Sequence, residues 1–167
     1  MHRVVRFVRA VDAALTEVAE VPVWSMSPAE LAEALVVLDR VSTRLAELDL
    51  RVVAAAERNE VGADAGATST AAWLAQQTKQ TRARCAAGVR LAVALEEGFP
   101  ATRAALAAGR INTDQAQVIV RAVEALTREH DDLPPETHQR AEQHLLDLAD
   151  QFDAVALRRL GKRLCEV

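Results

Sequence analysis

Tyrosine is missing from this 167-residue chain, and aromatic residues make up only 3% of it. A core without large rings has to be built from Leu, Val and Ala, with helices approaching closely where alanine lines the contact; alanine is about a fifth of the chain. No apolar run approaches the roughly 18 residues of a membrane span, so no membrane partner is expected. Arg3, Arg6 and Arg9 stand among Val and Phe near the N-terminus, but no uninterrupted hydrophobic stretch or small-residue cleavage site follows them, which argues against secretion. Cys85 and Cys165 have no Cys-x-x-Cys partner and read as buried free thiols in a reducing cytoplasm. The net charge of −4 argues against a generic polyanion binder.

Signatures of catalysis are missing too. There is no P-loop, no Gly-x-Gly-x-x-Gly and no Gly-x-Ser-x-Gly. His130, His138 and His144 do not pair at four-residue spacing on a helical face and do not recur near cysteine, so no two-histidine metal site is indicated. The acid pairs Asp131-Asp132 and Glu96-Glu97 fall at expected helix ends, where solvation explains them. No catalytic residue, metal or cofactor is expected.

What the chain does contain is helical periodicity, and the fold class it predicts is all-α, with about eight helices and no strand. The first segment, about residues 3–19, puts Val4, Val8, Val11, Leu15 and Val18 on one stripe. Trp24 follows a break and reads as a packing plug. Ser27-Pro28-Ala29-Glu30 is a strong helix start, with Ser as N-cap, Pro at the first position and Glu completing a capping box. The helix from Ser27 to Arg58 carries Leu31, Leu35, Leu38, Val41, Leu45, Leu48 and Val52, and spans about 45 Å at 1.5 Å per residue. Such a stripe suits burial within the chain or a homo-oligomer seam. The stretch from Glu60 to Thr68, with Gly62 and Gly66, reads as a linker. It divides residues 1–60, the first helix plus a long arm, from residues 61–167, a helical-hairpin region packed with the arm as one domain. Near the C-terminus, Pro134-Pro135-Glu136 starts a helix with Ala141, Leu145, Leu148 and Ala149 inward, and Asp153 caps a last one through Leu157, Leu160 and Leu164. That helix reaches Val167 with no Gly, Asn or Pro to end it, and the end reads as a cut.

Residues 68–126 hold two tandem helical hairpins. The first turns through Thr78-Lys79-Gln80 into a helix opening at Thr81, and the second through Gly109-Arg110-Ile111-Asn112 into a helix opening near Thr113. Two helices joined by three or four residues form the unit of helix-turn-helix DNA readers, and also the ordinary corner of a helical protein. From Thr68 to Ala122 there are seven basic residues against three acids, on an otherwise acidic chain. Gln117 and Arg121, four apart on the outer face of the second hairpin's second helix, are suited to adenine and guanine edges. Asn112 and Thr113 sit where a recognition helix meets bases or phosphate. Asp114 and Glu124 on that face would repel phosphate. In the first hairpin Lys79, Arg82, Arg84 and Arg90 have no acid between them. Val89 and Val93 nevertheless oppose Leu91 and Leu95, the pattern of a central core helix whose arginines snorkel outward. Trp73, flanked by Ala72 and Leu74, reads as a core anchor.

Four motifs in order, Ala71-Ala72-Trp73-Leu74, Leu106-Ala107-Ala108-Gly109-Arg110-Ile111, Gln115-Ala116 and Ala156-Leu157-Arg158-Arg159-Leu160, give the chain a family likeness. From about Leu31 to Val167 it resembles domain of unknown function 222, the N-terminal helical region of actinobacterial 13E12-repeat proteins. Members of that family commonly carry an HNH endonuclease domain C-terminal to this region, and often a glycine where Lys79 stands. The resemblance implies a nuclease context, while the ββα-metal site with its two histidines is absent from these residues. The expected function is therefore a non-catalytic helical domain engaging duplex DNA through the hairpin surface, with Lys79, Arg82, Arg90, Arg110, Asn112, Thr113, Gln117 and Arg121 as the candidate contacts. The alternative is a homo-oligomeric scaffold, joined through the helix from Ser27 to Arg58, that touches no nucleic acid.

Overall fold

A computed structural model describes residues 1–129 and 134–164. His130, Asp131, Asp132, Leu133 and Cys165 lie outside the described residues. Nine α-helices and no strand occur among those described: α1 (Arg3–Val18), α2 (Pro28–Arg58), α3 (Val61–Asp64), α4 (Thr70–Thr78), α5 (Arg82–Glu97), α6 (Pro100–Ala108), α7 (Thr113–Glu129), α8 (Pro135–Ala149) and α9 (Ala154–Leu164). The all-α expectation holds, with α3 the one short addition. Two compact units divide the chain, Met1–Val37 and Leu38–Val167, and the boundary falls within the continuous helix α2.

In the first unit the start of α2 is built as its sequence indicates. The Ser27 hydroxyl accepts from the Glu30 N–H at 3.3 Å, and the Glu30 carboxylate accepts from the Ser27 N–H at 2.7 Å. The Ser27 hydroxyl also donates to the Glu30 carboxylate at 2.7 Å, and this bond, together with that from the Ser27 N–H, holds the Glu30 carboxyl below its ordinary range. Two apolar expectations fail in this part of the chain. Trp24 is not a packing plug: it is 84% exposed, on a short 3₁₀ turn at Val23–Ser25. The stripe of α2 is not buried along its length either. Leu31, Leu35, Leu38, Val41 and Val52 are exposed and Leu45 and Leu48 half-buried, whereas Thr43, Glu47, Leu50, Val53 and Ala54, on another side of the helix, are buried. The buried face is therefore a different one from the expected stripe, because periodicity reports that a face is apolar and not what covers it.

The second unit holds the core. α7 is its centre, packed against α5, α6, α8 and α9. Ala116, Val118, Ile119, Val120 and Val123 of that helix are all buried, as are Leu106 of α6, Leu145 and Leu146 of α8, and Leu157 of α9. Ala54, Ala92, Ala105 and Ala149 line the same core, so close approach over alanine does replace aromatic bulk. α5 is a core helix as its two-sided pattern indicates, with Val89, Leu91 and Leu95 all buried. Trp73 is half-buried. The stretch between α2 and α4 is tightly built. The Ala67 N–H donates to the Gly62 carbonyl at 2.8 Å, and a Cβ at Gly62 would meet the Ser69 carbonyl oxygen and the Thr70 nitrogen at 2.5 Å. Only glycine allows that approach.

Candidate nucleic-acid interface

Each hairpin turn is made by specific polar groups. α4 ends at Lys79, in the left-handed region at φ 60° and ψ 18°, the conformation for which glycine is the usual choice. The Lys79 ammonium donates to the Gln76 carbonyl at 2.9 Å and the Thr78 hydroxyl to the Leu74 carbonyl at 2.7 Å, so side chains satisfy carbonyls left over at the helix end. α5 then opens on Thr81, whose hydroxyl accepts from the Arg84 N–H at 3.2 Å. The first turn of α5 contains Arg82 and Arg84 and no acid. Lys79, Arg82 and Arg84 are exposed, and none has an ion-pair partner among the described residues.

The second turn is a Schellman motif. The Gly109 N–H donates to Leu106 and the Arg110 N–H to Ala105, both at 2.9 Å, with Gly109 at φ 69°. A Cβ there would come within 2.6 Å of Arg40 Cγ, so glycine is required by both conformation and space. Arg110 is held by Asp150, Nε to Oδ1 at 3.0 Å. Asn112 and Gln115 form a reciprocal capping box: the Gln115 N–H donates to Asn112 Oδ1 at 2.9 Å, and the Asn112 N–H to Gln115 Oε1 at 3.0 Å. The buried Gln115 amide also donates to the carbonyls of Ala149 and Phe152, each at 2.8 Å, which ties the start of α7 to the α8–α9 corner. Asp153 caps α9 as its sequence indicates, accepting from the N–H of Val155 and of Ala156.

The eight candidate contacts therefore separate into four places. Lys79 and Arg82 stand at the α4–α5 turn. Arg110 and Asn112 are committed to the second turn. Arg90, Gln117 and Arg121 line a cleft of ≈ 390 Å³ between α5 and α7, shared with Glu57, Glu97 and Glu124. Thr113 and Gln117 border a second cleft of ≈ 600 Å³ with Arg84, Asp49 and Asp114. Burial raises the Asp49 carboxyl above its ordinary range. Arg103 is bound to Glu96 at 2.7 Å, and Glu96 also accepts from Arg58 at 3.1 Å. The hydrogen bond from Arg58, helped by the charge of Arg103, lowers the Glu96 carboxyl below its ordinary range.

The buried contacts of Glu142 and of Gln115 are not among the expectations from the sequence. Glu142 Oε1 accepts from both the N–H and the hydroxyl of Thr102, each at 2.7 Å, with both residues buried. Nothing in the sequence pairs positions forty apart. Gln115 was legible in principle, since Asn-x-x-Gln is the capping-box spacing. His138 stacks on Phe99 with ring centroids 4.8 Å apart, and His144 is exposed. No group of three His, Cys, Asp or Glu able to hold a metal occurs among the described residues, nor does a helix long and apolar enough to cross a membrane.

No curated protein and no solved structure matches the chain. Residues 28–167 match the model of the family described as Domain of unknown function (DUF222), and the chain belongs to that family.

Proposed function

We propose that this chain is a non-catalytic, cytoplasmic helical domain of an HNH-endonuclease-type protein that holds duplex DNA by its phosphates. The α4–α5 turn carries this reading. Lys79, Arg82 and Arg84 stand exposed and without an ion-pair partner among the described residues, beside a helix N-terminus with no acid in its first turn. Free N–H groups, the positive end of the helix dipole and three cations together favour an anion. Base reading by α7 has less support, since its outward strip is narrow and shared with Asp114 and Glu124. Contacts to phosphate position a protein without conferring sequence preference, so weak, non-specific binding is expected.

The test is duplex affinity as a function of salt. Three phosphate contacts give a log–log slope of about −2.7. Lys79→Ala and Arg82→Ala should each weaken binding for all sequences alike and flatten the slope by about 0.9. Arg110→Ala should do much less, because Asp150 already holds that guanidinium. A folded protein that binds duplex more weakly than about millimolar at low salt would end the DNA reading.

One observation favours the scaffold alternative: Leu31, Leu35, Leu38 and Val41 of α2 are exposed, as a homo-oligomer seam through that helix requires. Loss of an oligomer in Leu35→Asp, with unchanged helicity, is the result that would select it.

A further inference from the structure

Not one residue of α1 is buried, yet the helix has an apolar face along its whole length. At 100° per residue Val4, Val11 and Val18 run down the middle of that face, with Phe7 and Ala14 on one side and Val8 and Leu15 on the other. Phe7, Val8, Leu15 and Val18 are each about half exposed or more. The spacing of these apolar positions is the same in both directions about Val11: Val4 mirrors Val18, Phe7 mirrors Leu15, and Val8 mirrors Ala14.

The charges differ in sign on the two sides of the same point. Arg3, Arg6 and Arg9 precede Val11, while Asp12 and Glu17 follow it. Arg3, Arg6 and Glu17 lie on one side of the apolar face, Asp12 borders the other, and Arg9 points away from it. None of the five has an ion-pair partner among the described residues. In an antiparallel helix pair related by a twofold axis, each flank lies beside the same flank of the second copy. Centred on Val11, that arrangement puts Arg3 and Arg6 on the side of Glu17 of the second copy, within two residues of its level. A parallel pair would instead take Arg3 and Arg6 away from Glu17 and bring the Asp12 flank beside the Glu17 flank. The apolar pattern and the charge pattern thus select one partner, one direction and one register.

We propose that α1 is a homodimer seam, in which two copies of this chain pair antiparallel through the face centred on Val11. The proposal is independent of DNA binding and names a different helix from the α2 seam. A 16-residue helix is about 24 Å long. The dimer is accordingly small, depends on concentration and weakens as salt screens its flanking pairs.

Sedimentation equilibrium of the full chain over a dilution series reads the association. The mass should climb from 18.1 kDa toward twice that value. Leu15→Asp should stay monomeric with unchanged helicity, while Leu35→Asp should dimerise like the parent. Arg6→Glu or Glu17→Arg should each weaken the dimer about fivefold at low salt, since symmetry counts each lost pair twice, and the double variant should recover it. With Cys165→Ser in the background, Val4→Cys mixed with Val18→Cys should form a disulfide-linked dimer, whereas Val4→Cys alone should not. A chain that is monomeric throughout would overturn the proposal. So would a dimer that survives Leu15→Asp, a double charge variant without rescue, or self-linking of Val4→Cys.

Discussion

Replacing Glu142 by alanine tests the least anticipated interaction in the core. α6 begins with Phe99 as N-cap, which offers no side-chain acceptor, and with Pro100 at its first position. The N–H of Thr102 is one of the donors that every helix leaves unpaired in its first turn. It is satisfied by Glu142 of α8, which also accepts from the Thr102 hydroxyl. Thr102 is fully buried and Glu142 nearly so, so water cannot replace the lost acceptor. A hydrogen bond to a charged group contributes about 1.5–3 kcal/mol net, and the carboxylate also faces the positive end of α6. Part of the gain is offset by the cost of burying the carboxylate, and the expected loss for Glu142→Ala is about 3 kcal/mol. That corresponds to a fall in Tm of about 6–12 °C for a protein of this size. Glu142→Gln keeps an acceptor and should lose about half as much. Urea unfolding of the single variants, of Thr102→Val and of the double variant gives the coupling between the pair, expected at about 1 kcal/mol or more. A loss below about 1 kcal/mol for Glu142→Ala, or a coupling near zero, would refute the assignment of Glu142 as the cap of α6.

Gln115→Ala removes two donors to the α8–α9 corner and one half of a capping box, and should cost about 2–3 kcal/mol in urea unfolding, where a loss within experimental error would contradict the bridging role. Along α2, Leu38→Asp should change stability by no more than about 0.5 kcal/mol, whereas Leu50→Asp buries a charge and should prevent stable folding, as circular dichroism would report. The Glu96 carboxyl is lowered in the folded state, so its stabilisation is present above the unfolded carboxylate range and is lost as pH falls through the folded value. Glu96→Gln should therefore shrink the drop in urea midpoint between neutral and acid pH, and an unchanged drop would count against the Arg58–Glu96–Arg103 bridge.

The motifs behind the family resemblance have structural explanations in this fold. Gly109 is needed for a left-handed turn pressed against Arg40, and Arg110 is paired with Asp150. Gln115 bridges three backbone groups, and Leu157 is fully buried. Lys79 shows the converse case. It takes the left-handed conformation without being glycine, and its own ammonium helps satisfy the end of α4.

Local interactions were readable from the sequence alone. The caps at Ser27 and Asp153, the helix starts at Thr81 and near Thr113, the hairpin turns and the inward faces of α5, α7 and α8 all depend on residues within a turn of one another. Tertiary structure decided where those faces go. It left the first part of α2 and Trp24 exposed, and made α7 the centre of the second unit. It also bound Arg110 to Asp150 and brought Glu142 to Thr102 across forty residues. The reason is physical: a helix cap or an amphipathic stripe is a short-range property of the chain, whereas the partner of a buried polar group or an apolar face depends on how distant segments pack.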